Sequence, residues 1–321
     1  MIDNSNIKKL GFGLMRLPKN ESGYDFDVLN KMVDAFMSKG FTYFDTAYVY
    51  DDGGSEEAFK KAVARRYPRE SYLLADKMPV WCCKNREDME RIFNTSLERT
   101  SAGYFDFYLN HSLSKDKLER IDELGVFEFI QKKKEQGFIK HAGFSFHDSA
   151  EVLDEILTKH PEQEFVQLQI NYYDWLSDNV QSKKCYDVAR KHGKPVIIME
   201  PVRGGSLAVL PDKAREILLE AEPEMSIASW ALRFASSLDG VITVLSGMSD
   251  LSQVTDNLSF MDSQKEFTER EFKKVMDVAD ILNKIPTVPC TSCGYCLEGC
   301  PMNIKINKIF SVYNDHLKYN N

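Results

Sequence analysis

The feature that most constrains this chain is a repeated switch between two hydrophobic periods. Short apolar or alternating runs take turns with longer stretches whose apolar residues recur at helical spacing, which is the mark of a sheet whose strands are joined by helical crossovers. The strand-like runs are FTYFD (41–45), SYLLADK (71–77), FDFYLNH (105–111), HAGFS (141–145), FVQLQI (165–170), PVIIME (195–200) and GVITVLS (240–246). Between and after them lie DFDVLNKMVDAFMSKG, SEEAFKKAVARRY, REDMERIFNTSLERT, GVFEFIQKKKEQG, SAEVLDEILTKH, SKKCYDVARKHG, MSIASWALRFASS and SDLSQVTDNL, several closing on the glycine that ends helices. KLGFGLM near the N-terminus supplies an eighth strand. Eight βα units in about 260 residues predict an α/β chain of the TIM type, a (β/α)8 barrel, rather than an open doubly wound sheet. No G-x-G-x-x-G follows a strand, against a Rossmann domain. A further amphipathic stretch, EFTEREFKKVMDVADILNKI, precedes the prolines of PTVPC, so the barrel is expected over 1–284 and a short cysteine-bearing segment over 285–321.

Composition enters as a filter. The 321 residues are 43% hydrophobic, enough to fill a large core. Forty-nine acids against 41 bases, and no basic stripe, exclude a nucleic-acid surface as the primary partner and point to small molecules. The opening MIDNSNIKKLGFG lacks an apolar signal core and no long apolar run occurs, so a cytoplasmic protein without a membrane partner is expected.

In barrel enzymes the reacting side chains sit at the C-terminal ends of the strands and in the loops beyond. Asp45 closes FTYFD, with Tyr50 five residues on; Lys77 closes SYLLADK; His111 closes FDFYLNH. Singly, each has an ordinary structural account: a rim ion pair, a loop tyrosine, a core histidine. Together they form a proton-transfer set. A phenol with a pKa near 10 becomes a useful acid when an ammonium stabilises its anion, and a carboxylate keeps that ammonium charged and oriented. A neutral imidazole at the same mouth can polarise a carbonyl oxygen.

The strings FDTAYVYDDGGSEEAFKKAV, LLADKMP, DFYLNHS, GFSFH and VQLQINYYD, in this order across nearly the whole barrel, resemble the aldo-keto reductases. The resemblance implies an NAD(P)H-dependent oxidoreductase that moves hydride between a nicotinamide cofactor and a carbonyl or alcohol. Asp45, Tyr50, Lys77 and His111 would be its catalytic tetrad, with Tyr50 as general acid. It implies carboxamide contacts from Ser145 and Gln169, with Phe146 where the family usually has Asn, and a ring-covering thioether from Met199 where the family commonly has an aromatic. Further cofactor contacts are implied at Met15, at Pro201, Arg203 and Gly204, at Ser246, Gly247 and Met248, and at Gln253 and Asn257. The pyrophosphate would lie at the N-terminus of the helix SDLSQVTDN, whose ordinary structural account is a cap on Ser249. Gly247 and Gln253 stand where NADPH-preferring relatives carry a basic residue, so the cofactor is NADP or NAD.

Four of the seven cysteines, Cys290, Cys293, Cys296 and Cys300, follow the spacing C-x2-C-x2-C-x3-C-P, which predicts a [4Fe-4S] cluster more readily than zinc. Iron-sulfur relatives of the aldo-keto reductases often carry two such motifs, and only one precedes Asn321, which leaves the fourth ligand and an electron-transfer partner open. Apolar Ile304, Ile306, Ile309, Phe310, Tyr313 and Leu317 suggest a last helix packed back on the protein. Cys82 and Cys83 are read as packed or idle thiols and Cys185 as core. Two other functions compete: a Schiff-base lyase through Lys77, and a nicotinamide-binding redox sensor without turnover.

Overall fold

The computed structural model describes residues 2, 6–263, 265–288, 290, 295–298, 300–302 and 304–319. Eight parallel strands close into a barrel: Leu10–Gly13, Tyr43–Asp45, Leu73–Met78, Phe105–Leu113, Ile139–Phe146, Phe165–Gln169, Val196–Met199 and Val241–Gly247. Each pairs with its sequence neighbours, and the first closes the ring by pairing with both the second and the eighth. All eight expected strands are present, each within two residues of its expected bounds.

Strand alternation sorts the side chains. Tyr43, Ala75, Phe107, Leu109, Phe165, Ile197, Ile242 and Leu245 cluster as one buried group, with Ile2 and Ile7 packed against it. Farther along this face Asp45, Lys77, His111, Gln167 and Gln169 are polar and fall toward the strands' C-terminal ends. Their neighbours Phe44, Leu74, Tyr108, Val166 and Ile198 belong to the larger core shared with the helices. A floor of apolar side chains therefore carries a polar mouth at one end only.

Two helices exceed the expected one per strand: Lys115–Leu124 and Asp212–Ala221. Both are short and strongly charged, so their apolar stripes are narrow. Gly125, at φ 66°, ends the first and caps the next, Val126–Glu135, so it divides two helices instead of opening one. A two-stranded hairpin, Lys19–Asn20 with Gly23–Tyr24, was also not expected. The helix Glu269–Asn283 starts in a capping box of Thr268 and Glu271, and the Glu271 carboxylate accepts a 2.5 Å bond from Arg233, both buried.

Beyond it, helices Tyr295–Glu298 and Ile306–Tyr319 form the tail. The last helix exists as expected and turns one side inward: Asn314 accepts from the Val288 amide at 2.7 Å and donates to its carbonyl at 2.8 Å, and Ile306, Phe310 and Leu317 are half-buried. Ile309 and Tyr313, expected to pack inward, are exposed, because helical spacing turns them away from the face that carries Asn314, and Ile304, which precedes the helix, is exposed as well.

Candidate active site

The second, third and fourth strands bring Asp45, Lys77 and His111 together. The Lys77 ammonium donates to Asp45 Oδ1 at 2.6 Å, to the Thr46 carbonyl at 2.6 Å and to the Tyr50 hydroxyl at 3.3 Å. It is 1% exposed. Burial pushes the Asp45 carboxyl up from its ordinary range, and the Lys77 ammonium pulls against that rise. His111 lies edge-on to the Tyr50 ring at 6.0 Å and against Trp81 at 5.0 Å. Burial, with the nearby charges of Lys77, His147 and Lys117, holds its pKa well below the usual histidine value. The imidazole is therefore neutral across the physiological range. The structure thus brings Asp45, Tyr50, Lys77 and His111 together at the barrel mouth.

Tyr50 stands on a loop that the backbone would not adopt unaided. Asp51, Asp52 and Gly53 follow it at φ 53°, 54° and 87°. Arg99, from the helix Arg86–Thr100, holds this loop, donating to the Tyr48 carbonyl at 3.5 Å and pairing with the fully buried Glu56 at 3.0 Å. A Cβ on Gly53 would stand 2.3 Å from the Arg99 guanidinium. Lys19 pairs with Asp51 at 2.7 Å from the unexpected hairpin. Ser112, Glu200 and Arg203 also have positive φ, so five of the seven such non-glycine residues among the described residues lie at the barrel mouth, where strain marks functional loops.

A cavity of about 550 Å³ opens from Asp45 and Tyr50 toward the seventh and eighth strands. Met15, Gln169, Met199, Pro201, Gly204, Ser246, Gly247, Met248, Gln253 and Asn257, ten of the residues singled out in the sequence, line it. Ser145 and Arg203 do not. Ser145 Oγ lies beneath the mouth and accepts from the Ser112 amide at 2.7 Å; the Arg203 guanidinium packs 3.3 Å from Asp174 and over the Tyr173 ring. Gln169 lines the cavity while donating to Asp174 at 3.0 Å. Gln167 was missed. It lies one inward position deeper, and its buried Oε1 has no hydrogen-bond partner among the described residues, so the lining keeps an acceptor to offer. Two glutamines on one strand face cannot be ranked by alternation alone. Ser249 is not the cap of the following helix: Asp250 is, accepting from the Gln253 amide at 3.0 Å.

Cys83 and Cys185 are buried, and burial raises their thiols to about 11 and about 12, which suits inert packed cysteines. Of the tail cysteines, Cys293 lies outside the described residues. Among those that are described, no three His, Cys, Asp or Glu side chains gather around a metal position. Cys300 Sγ accepts the Ile304 amide at 3.4 Å. No helix among the described residues is long and apolar enough to cross a membrane.

A closed parallel barrel, with a buried lysine–carboxylate pair, a tyrosine and a neutral histidine beside a cavity at the C-terminal ends of its strands, has the build of a barrel protein with proton-transfer groups gathered at its mouth. The aldo/keto reductase family profile matches residues 9–280, and the chain belongs to that family of oxidoreductases. An uncharacterised oxidoreductase of Bacillus subtilis, YqkF, is 23% identical over 303 residues, covering 84% of this chain and 91% of that one. A probable aldo-keto reductase of Glycine max is 29% identical over 231 residues, covering 68% and 63%. Among solved structures, an aldo-keto reductase of Bacillus halodurans in its holo form superposes with a TM-score of 0.69 at 24% identity, covering 85% of this chain and 92% of that one. One from Klebsiella pneumoniae, in complex with NADP and acetate, gives 0.69 at 20% identity, with the same coverage. At these identities the structures attest the fold.

Proposed function

We propose that the chain reduces carbonyl compounds to alcohols, and runs the reverse reaction, with a nicotinamide cofactor held along the seventh and eighth strands. The observation that carries this is the Lys77 ammonium bonded at once to Asp45, Thr46 and Tyr50 beside the cavity. When bound, the cofactor would supply the hydride that reduces the carbonyl carbon. Tyr50 gives its proton to the carbonyl oxygen, and the negative charge left on the phenolate is stabilised by Lys77. Asp45 keeps Lys77 charged and aimed. His111, neutral, donates a hydrogen bond that orients the carbonyl. Gln167, Gln169 and Met199 would meet the nicotinamide, and Ser246 to Ser249 with Gln253 and Asn257 the phosphates and ribose, whether from NADP, as in the Klebsiella complex, or NAD. Three acceptors hold the Lys77 nitrogen in place, which leaves it poorly set to attack a carbonyl as a Schiff base requires.

For Cys290, Cys293, Cys296 and Cys300 we propose a [4Fe-4S] cluster of structural or electron-relay role. Support comes from the thiolate spacing and from the Ile304 amide aimed at Cys300 sulfur. Iron and sulfide assays on anaerobically purified protein test it: near-zero iron refutes it.

Tyr50→Phe tests the reductase. Carbonyl-dependent NAD(P)H oxidation should fall by about 10²- to 10⁴-fold while cofactor affinity, read by fluorescence titration, stays within a few-fold. Cofactor binding without turnover of any carbonyl by the unaltered protein would instead favour the sensor.

A further inference from the structure

Resting on the reductase reading, one cation at the barrel mouth is not used by the tetrad. Lys117 lies in the first turn of the helix Lys115–Leu124, where a positive charge opposes the helix dipole. Its ammonium donates to the Ser112 carbonyl at 2.6 Å and the Ser112 hydroxyl at 3.2 Å, both neutral oxygens. It forms no ion pair among the described residues; the carboxylate that acts on it, Asp116, only partly offsets the loss of hydration on burial, and its pKa is lowered. An ammonium that is half-buried and lacks a carboxylate partner is costly to keep and has capacity for an anion.

Its position relates it to the reaction. Ser112 follows His111 at φ 58° and, with His147, lines the cavity. Burial and the Lys117 charge hold the His147 pKa at about 4, so His147 adds no cation of its own near neutrality. The Lys117 ammonium sits 5.2 Å over the ring of Trp81, which leans on His111. In the closed ring the fourth strand lies across from the eighth, so Lys117 borders the side of the mouth opposite Ser246, Gly247 and Gln253. That is the substrate's side if the cofactor follows the seventh and eighth strands.

We propose that the substrate is an anionic carbonyl compound, whose carboxylate or phosphate is received by Lys117 beside Trp81 while its carbonyl meets Tyr50 and His111. The anion replaces water around a charge already stripped of part of its hydration, and the gain is in binding.

The test compares kcat/KM for 4-oxobutanoate and its methyl ester, and for glyceraldehyde 3-phosphate and glyceraldehyde, in the unaltered protein, Lys117→Met and Lys117→Arg. The unaltered protein should prefer an acid over its neutral partner by about 10- to 100-fold, mostly through KM. Lys117→Met should erase that preference and leave the neutral compounds unchanged, and Lys117→Arg should keep most of it. Succinate, which cannot be reduced, should inhibit competitively against the ester in the unaltered protein and not in Lys117→Met. Which pair shows the preference tells carboxylate from phosphate. Equal turnover of acids and neutral compounds overturns the inference while leaving the reductase reading intact, as does Lys117→Met lowering both alike, which would mean that Lys117 only props up Ser112. Absence of turnover with every carbonyl overturns the reductase reading and this one with it.

Discussion

Replacing Lys77 by methionine keeps most of the aliphatic stem and removes the charge. Asp45, 3% exposed, then loses the donor on Oδ1, and Oδ2 has no hydrogen-bond partner among the described residues. An uncompensated buried charge of this kind costs about 3–5 kcal/mol. The carboxyl can escape by taking up a proton, and that escape sets a ceiling. Holding an aspartate of ordinary pKa near 3.9 protonated costs about 1.4 kcal/mol per pH unit above it, hence about 4 kcal/mol at pH 7 and about 1.5 kcal/mol at pH 5. The sign follows from linkage. Burial already raises Asp45 in the folded state, against the pull of Lys77, and removing Lys77 raises it further. A carboxyl whose folded pKa is raised contributes stability below its unfolded pKa and loses it as pH rises through the folded value. The variant's penalty should therefore be largest at pH 7 and shrink toward pH 5. At about 2–4 °C per kcal/mol for a domain of this size, Tm should drop by about 8–16 °C at pH 7 and by less than half of that at pH 5. Thermal melts at pH 5, 6 and 7 read this directly. The double variant Asp45→Asn with Lys77→Met, which buries no charge, should recover much of the loss at pH 7. A penalty that is flat or grows on acidification, or a double variant no more stable than the single one, would refute the reasoning.

Two further outcomes are expected. Gly53→Ala puts a Cβ onto the Arg99 guanidinium at a residue with φ 87°, so melts should show a loss of about 1–3 kcal/mol and carbonyl reduction should fall with the displaced Tyr50 loop. Burial tends to raise the Glu164 carboxyl, but His141, Lys134 and the Ala142 amide together lower it to about 2. Its contribution is thus present above pH 4.5 and lost as pH falls toward 2. Urea melts of Glu164→Gln should show a penalty of about 1–2 kcal/mol at pH 6, after allowance for solvent screening, vanishing near pH 2.

What the sequence disclosed follows from how local each signal is. Strands that end in Asp45, Lys77 and His111 are legible because alternation and barrel topology together put strand-end side chains at one mouth, whatever the loops do. The short helices Lys115–Leu124 and Asp212–Ala221 carry too few apolar positions to stand out, and their existence depends on packing against neighbours. Gln167 was passed over for Gln169 because both face inward; only depth in the barrel, a tertiary property, separates them. Lys117 was invisible for the same reason: a lysine on a charged helix reads as solvated until its neighbours Ser112 and Trp81 are known.

The placement of Tyr50 is the property hardest to read from sequence, since it depends on both faces of a single strand. Lys77 points into the barrel and, through the Thr46 carbonyl, fixes the chain just before the tyrosine loop. Its neighbour Asp76 points outward, fully buried, to Glu56, which Arg99 holds and which lies just after that loop. Burial, and then the Glu56 charge, push the Asp76 carboxyl well up from its ordinary range, while Arg99 pulls against the rise that burial causes at Glu56. Thr46 and Ser55 tie the two ends of the loop at 2.7 Å between their hydroxyls. The loop is therefore clamped at entry and exit by buried polar groups on opposite faces of the third strand, Lys77 through the Thr46 carbonyl and Asp76 beside Glu56. That stiffness lets residues in left-handed conformations persist at Asp51 and Asp52, and it keeps the Tyr50 hydroxyl within 3.3 Å of Lys77 before any substrate binds, so little of the binding energy need go into assembling the site.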